Sequence, residues 1–180
     1  MRPLFLLLIA FLIIAADQAS KWYVMEYVLR PHVEGEAAAT PPDFITWYKS
    51  EPRALASAEV VVMPHFNLVS VWNKGISFGM FKQTSDYGPL ILISLSLVIA
   101  LFFVIWLFRG PDRMQETGIL MVIGGALGNV ADRARYGAVF DFLDFHAFDY
   151  HWPAFNIADS GIVLGVIVLI FHSFLYSHKY

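Results

Sequence analysis

Apolar residues gather into four long runs, at residues 3–24, 88–108, 116–133 and 154–176, separated by more polar stretches. A helix needs about 20 predominantly apolar residues to cross a bilayer, so each run is expected to form a membrane-spanning helix. The second, GPLILISLSLVIALFFVIWLF, carries no charge and suits a helix bathed in lipid. The third is short and glycine-rich. Gly124 and Gly128 stand four apart, as do Gly161 and Gly165 in the fourth run. Small residues at that spacing let helix backbones approach closely, so packing explains them better than chemistry. The first run opens MRPLFLLLIAFLIIAADQASK, one Arg ahead of an apolar core, as in a secretory signal. Cleavage after Ala16 would put Ile14 at the −3 position, and cleavage after Ala19 would put Asp17 there. Neither suits a signal peptidase, so a retained helix is expected, continuing amphipathically to about Leu29.

The connections between the runs are unequal. RGPDRMQ, with Arg109 and Arg113, joins runs two and three. By the positive-inside rule this short turn is cytoplasmic. Four spans then put both termini in the cytoplasm, in agreement with Arg2 and Lys179, although Lys21, Arg30, Lys49, Arg53, Lys74 and Lys82 fall on the outer side. Residues 30–87 and 135–153 are thereby extracytoplasmic. Within the first, residues 31–58 are rich in Pro, Glu, Ala and Thr and read as a surface loop. Residues 59–81, EVVVMPHFNLVSVWNKGISFGMF, have strand character, enough for two or three short strands on the membrane surface. The expected architecture is an all-α membrane protein: four transmembrane helices, a small extracytoplasmic β element and a loop, with residues 1–180 forming one domain.

Composition agrees with membrane insertion. Hydrophobic residues make up 58% of the chain and charged residues 15%, where soluble domains run near a quarter charged; mean hydropathy is +0.59. A net charge of −3 gives no reason to expect a nucleic-acid partner. The absence of cysteine excludes disulfides, thiol catalysis and zinc sites built on Cys. Six histidines lack any H-E-x-x-H pattern. His146, His151, His172 and His178 are read as surface or interfacial residues, and no metal is expected. Trp22, Trp47, Trp72, Trp106 and Trp152 are read as interface anchors.

Against this apolar background two carboxylates stand out. Asp159 lies in the fourth run and Asp141 in the aromatic stretch VFDFLDF, at the end of the preceding loop. A charge at membrane depth costs at least a few kcal/mol, so such residues are expected to be partnered and functional. Two facing carboxylates can share one proton, the working state of an aspartic protease. The pattern N-x-A-D occurs twice, as Asn129 to Asp132 and Asn156 to Asp159. On a helix, positions three apart share a face, which would set each Asn beside its own Asp. Asp132 competes with Asp141 for the dyad. Its neighbours Arg133 and Arg135 suit a structural ion pair, whereas Phe140, Phe142 and Phe145 give Asp141 apolar surroundings fit for a proton-sharing acid. Asp144 is read as a polar loop residue. Asp17 and Lys21, four apart, are either a plain helical ion pair or a brace for the site. Asn73, in a glycine-bounded turn with Gly75, either binds substrate backbone or stabilises the turn.

Five motifs follow one another along the chain: D-Q-x-x-K at residues 17–21, N-x-G-x-x-F-G at 73–79, G-G-A-x-G-N-x-x-D-R at 124–133, G-x-V-x-D-F at 137–142 and F-N-x-A-D at 155–159. In this order, on four apolar runs, the chain resembles the lipoprotein signal peptidases (type II signal peptidases), four-span aspartic proteases of bacterial inner membranes. The resemblance covers nearly the whole chain. It implies that Asp141 and Asp159 are the catalytic aspartates, supported by Asp17, Lys21, Asn73, Gly75, Asn129, Asp132, Arg133 and Asn156. It also implies a lipid-modified prolipoprotein as substrate, contact with membrane lipid, an active site near the outer, periplasmic face, no cofactor, and a monomer. The chain departs from the family pattern at Trp72, where a basic residue is common, and at Ile76 and Ser77, where Ala is common; residues 30–64 are also longer than expected. These departures border the place where substrate should sit. An ion-conducting protein, with Asp17, Asp132 and Asp159 as relay, would spread its acids through the membrane, whereas here they gather near one face. A transferase acting on phospholipid head groups would need several metal-binding acids on adjacent helical turns, which the apolar runs lack.

Overall fold

The computed structural model describes residues 2–35, 40–75 and 87–176. Its elements, in chain order, are α1 (Arg2–Tyr23), a π-helical stretch (Val24–Leu29), α2 (Arg30–Glu34), α3 (Phe44–Lys49), β1 (Glu59–Met63), β2 (Phe66–Asn73), α4 (Gly88–Phe108), α5 (Arg113–Tyr136), β3 (Val139–Ala147), β4 (Tyr150–His151) and α6 (Ile157–Tyr176). Contacts divide the chain into two compact units. The first comprises Met1–Asp17, Ile91–Ala131 and Ile157–Tyr180; the second, Gln18–Leu90 and Asp132–Asn156.

The first unit is helical. Among the described residues, three helices are long and apolar enough to cross a membrane: Leu7–Glu34, Gly88–Phe108 and Ile157–Tyr176. Helix α5 corresponds to the remaining apolar run and has 24 residues, but Glu116, Asn129, Asp132 and Arg133 lower its hydropathy. Its glycines set the packing. A methyl at Gly118 would lie 2.9 Å from the carbonyl oxygen of Gly165, and one at Gly165 would lie 2.6 Å from that of Gly118. On the side toward α1, a methyl at Gly124 would lie 2.8 Å from the carbonyl oxygen of Ala10. These helices therefore meet backbone to backbone, as small residues allow.

Helix α4 ends at Gly110, whose φ of +70° is a conformation only glycine adopts freely. Asp112 then caps α5, its Oδ1 accepting from the N–H groups of Met114 at 2.9 Å and Gln115 at 3.0 Å. The Gln115 N–H above all, with the His172 imidazole alongside, holds the Asp112 carboxyl below the usual carboxylate range. His172, expected at the surface, is buried and closes on Asp112.

The second unit is built on an antiparallel sheet in the order β1-β2-β3-β4. Helix α5 stops at Gly137, with φ +70°, whose N–H bonds the carbonyl of Arg133 at 3.0 Å. This left-handed cap turns the chain into β3. There the reading of residues 135–153 as a loop is overturned: β3 pairs with β2, Val71 opposite Asp141 and Asn67 opposite Asp144. The acids at 141 and 144 are three apart and break the period-two alternation that marks a strand. A register shift between Leu68 and Val71 is a bulge next to Asp141, a common device for re-aiming a strand. Residues 59–73 supply β1 and β2, as the strand character predicts; Ile76, Ser77 and the rest of that stretch lie outside the described residues.

Residues 31–58 are more than a surface loop. Helical structure runs on from α1 through Glu34, and Arg30 forks onto both oxygens of Glu26 at 2.8 and 3.0 Å and onto Glu34 at 3.0 Å. Asp43 caps α3; the Thr46 hydroxyl, then the Thr46 N–H, hold its carboxyl below the usual range. Two indoles fasten the segment, Trp22 Nε1 donating to the Pro42 carbonyl at 2.9 Å and Trp72 Nε1 to that of Leu55 at 2.8 Å. Trp47, expected as an interface anchor, is buried with the Arg135 guanidinium 4.2 Å over its ring.

The tightest of the glycine contacts is at Gly125. A methyl there would overlap the carbonyl oxygen of Ala158 and lie 2.7 Å from Cγ1 of Ile162. Gly125→Ala should destabilise the protein by about 1–3 kcal/mol through overpacking, read as a lower thermal unfolding midpoint in detergent. An unchanged midpoint would mean that α5 and α6 do not touch there.

Candidate active site

The second unit holds Asp141. It sits on β3 and keeps 1% of its exposure, so its oxygens need partners within the protein. Asn156, just ahead of α6, donates its Nδ2 to Oδ1 at 2.7 Å. Asn73, the last residue of β2, donates its Nδ2 to Oδ2 at 3.1 Å. The Asn73 side chain is itself held, because its Oδ1 accepts from the Gly75 N–H at 3.1 Å. Each carboxylate oxygen thus has an amide donor, one from the neighbouring strand and one from the connection into α6.

The same unit holds Asp132. Its Oδ2 meets the Lys21 ammonium at 2.7 Å and the backbone N–H of Phe140 at 3.0 Å; its Oδ1 accepts from Gln18 Nε2 at 2.8 Å. The cation seen on Asp132 is Lys21 of α1, where the sequence pointed to its neighbours Arg133 and Arg135. Arg133 is half-buried, and Arg135 stacks on Trp47. Asp132 also fixes the backbone at Phe140, one residue before Asp141.

The first unit holds Asp159, in the first turn of α6. It accepts at Oδ1 from Asn129 Nδ2 of α5 at 2.8 Å. One residue earlier, the N–H of Ala158 donates to Asp17 Oδ1 of α1 at 3.0 Å. Asp17 is fully buried and satisfies one of the first-turn N–H groups that a helix leaves open, with its charge at the positive end of the helix. Asp17 and Lys21 thus each reach a different element.

The bonds run differently from the expectation that each Asn serves the Asp three residues on. Asn129 donates to Asp159, and Asn156 to Asp141. The reason is local: Asn156 precedes the helix and shares no helical face with Asp159, while Lys21 and Gln18 occupy Asp132. Sequence reasoning missed Gln18, although it stands inside D-Q-x-x-K. It also missed that Asp144 is no loop residue: it lies buried on β3, accepting from Asn67 at 3.0 Å and touching His151 Nδ1 at 2.9 Å. The Glu26–Arg30–Glu34 series, with Glu26 and Arg30 buried and Glu34 half-buried, was legible as acid and base four apart and was passed over.

Removing one partner of a buried ion pair leaves an uncompensated charge, at a cost of about 3–5 kcal/mol. Asp132→Asn should therefore lower the unfolding midpoint well beyond Asn73→Ala, and Lys21→Met combined with Asp132→Asn should recover part of the loss. Equal midpoints for the single variant and wild type would remove the ion pair from the account.

The sequence profile of the family described as Signal peptidase (SPase) II matches residues 9–175. A protein of Syntrophotalea carbinolica named lipoprotein signal peptidase is 39% identical over 168 residues, 92% of this chain and 88% of its own length. One of Methylobacterium radiotolerans with the same name is 46% identical over 110 residues, 61% of this chain; the match spans 64% of that relative's length. A solved structure described as a bacterial membrane enzyme superposes with a TM-score of 0.68 at 26% identity, covering 93% of this chain and 91% of that one. A second, with a TM-score of 0.72 at 24% identity over 97% and 90%, shares the fold. With three helices among the described residues apolar enough to cross a bilayer, the protein is membrane-bound, and it belongs to the signal peptidase II family.

Proposed function

We propose that this chain is a membrane-embedded aspartic endopeptidase that removes the signal peptide from diacylglyceryl-modified prolipoproteins, cutting before the lipidated cysteine. The observation that carries this reading is a pair of aspartates braced by amides: Asp141 by Asn73 and Asn156, Asp159 by Asn129. An amide orients a carboxylate without adding a charge that would fix its protonation state. Asn156, which holds Asp141, stands three residues before Asp159 in the chain, which supports the two acting as one dyad. The name carried by the relatives supports the substrate class.

In the reaction, close carboxylates share one proton. The ionised member takes a proton from a water between them, and the water oxygen attacks the scissile carbonyl carbon. The protonated member gives its proton to the carbonyl oxygen. The tetrahedral intermediate then collapses: the C–N bond breaks as the now protonated carboxyl gives its proton to the leaving nitrogen, a diol hydroxyl returns its proton to the other carboxylate as the carbonyl re-forms, and the shared-proton state returns. Asp132, with Lys21 and Gln18, acts at one remove by fixing the strand at Phe140. Asp17 does so at Ala158.

The protein resides in the bacterial inner membrane with four spans, α5 being the fourth; its 24 residues reach about 36 Å at 1.5 Å per residue, more than a bilayer core. Both termini are cytoplasmic, and the site opens near the outer face, where substrate helix and lipid enter sideways. The chain works as a monomer and without a cofactor.

Cleavage of a diacylglyceryl-modified prolipoprotein in membranes tests the reading. Asp141→Asn and Asp159→Asn should each lose about 10³-fold or more, within the range of general acid–base groups. Asp132→Asn, assayed where it remains folded, should keep measurable activity. Activity retained in either of the first two would move the dyad, and a folded wild type that cuts nothing would end the peptidase reading.

A further inference from the structure

At one end of the sheet, β3 and β4 are joined by a two-residue turn, Phe148-Asp149, between the paired residues Ala147 and Tyr150. Phe148 takes φ +55° and is the single non-glycine residue with positive φ among those described. Glycine or asparagine is the ordinary occupant of such a turn position, and a bulky side chain there is an outlier that asks for a reason. The Phe148 side chain packs on nothing to repay the strain: it is 93% exposed. Tyr150 is 68% exposed and Trp152 57%. Alongside, the His146 N–H bonds the His65 carbonyl at 3.1 Å, so the β1–β2 turn adds exposed Val61, Val62 and Met63 to the same end.

We propose that this hairpin tip is seated in the lipid bilayer, with Phe148 among the upper acyl chains and Tyr150 and Trp152 at the glycerol level. Three features of the chain choose lipid as the occupant. First, Trp152 stands five residues before Ile157, where α6, a helix apolar enough to cross the membrane, begins. Five residues of chain reach at most about 18 Å from Trp152, and the nine from Phe148 at most about 32 Å, so the hairpin stays close to the point where the chain enters the bilayer. Second, the composition is that of an interfacial belt, in which amphipathic Trp and Tyr rings sit at the headgroup boundary. Third, residues 136–176 contain no Lys or Arg, and Asp149 is exposed at the tip. The attachment is therefore aromatic and not electrostatic, and needs no anionic lipid. Its consequence falls on the site: β3 carries Asp141 seven residues before Phe148, about 23 Å along a strand. Anchoring the tip holds this carboxylate at a set level relative to the bilayer.

The absence of cysteine allows a clean test. Phe148→Cys and Tyr150→Cys are each labelled with an environment-sensitive fluorophore, with Glu51→Cys as an exposed reference, in nanodiscs holding one protein and zwitterionic lipid. Labels at 148 and 150 should be quenched by nitroxides on shallow acyl carbons and spared by aqueous iodide several-fold relative to the label at 51. Iodide quenching equal to that at 51 would overturn the proposal. So would shielding that appears only with two copies per disc, which would make the occupant a second chain. A requirement for anionic lipid, or loss of the shielding in high salt, would overturn its aromatic basis. None of these readouts uses cleavage, so they stand apart from the peptidase reading.

Discussion

The Asp132 carboxylate gathers an ammonium from Lys21, an amide from Gln18 and a backbone N–H from Phe140, while keeping 2% of its exposure. The donors come from α1 and β3 and the acceptor from α5, so the consecutive α5 and β3 are tied to each other and to the distant α1 on one group. Taking both charges out of water costs several kcal/mol per ion, and a buried pair is seldom a net gain over apolar packing. What the pair provides is definition. An apolar cluster could slide by a turn or a register step; a carboxylate with three donors at 2.7 to 3.0 Å cannot. Since one donor is the N–H of Phe140, the definition passes directly to the strand position of Asp141.

The contrast between the aspartates follows from their partners. Asp132 faces the Lys21 ammonium. Asp141 accepts from the amides of Asn73 and Asn156, and Asp159 from that of Asn129, and an amide donates without carrying a charge. In surroundings where every buried polar atom must be partnered, an asparagine amide orients a carboxylate without adding a charge.

The long apolar helices were legible because composition alone marks them, and α4 was read to its exact bounds, Gly88–Phe108. The polar residues of the site were legible as residue types in motifs; their pairings were not. N-x-A-D invited a reading within one helix, yet Asn156 stands outside α6, and the partners of both asparagines lie on other elements. A helical period says which side chains share a face and nothing about which helix or strand that face meets. Strand β3 failed for a related reason. Its acids are three apart, and residues 139–142 are buried in succession on both faces of the strand, so the alternation that betrays a strand was missing. The segment 40–58 read as a loop because its attachments are made by indole N–H groups to backbone carbonyls, which leave no mark in composition.

The glycines of α5 show that packing and chemistry are not rival explanations of a residue. Gly125 lies against the backbone of Ala158, and without a Cβ it lets α5 and α6 meet at that level. Asn129 is one turn farther along α5, and Asp159 is the residue after Ala158. Asparagine has a single methylene between its backbone and its amide, a reach that serves only where two backbones are already close. A helix pair held apart by alanine or valine at 125 would require the longer glutamine at 129, whose extra rotatable bond adds side-chain entropy to be lost and loosens the aim. The small-residue contact is therefore a condition for the 2.8 Å bond to Asp159. Read purely as packing, Gly125 is interchangeable with the other small residues of the helix; beside Asn129, it is part of what positions the carboxylate.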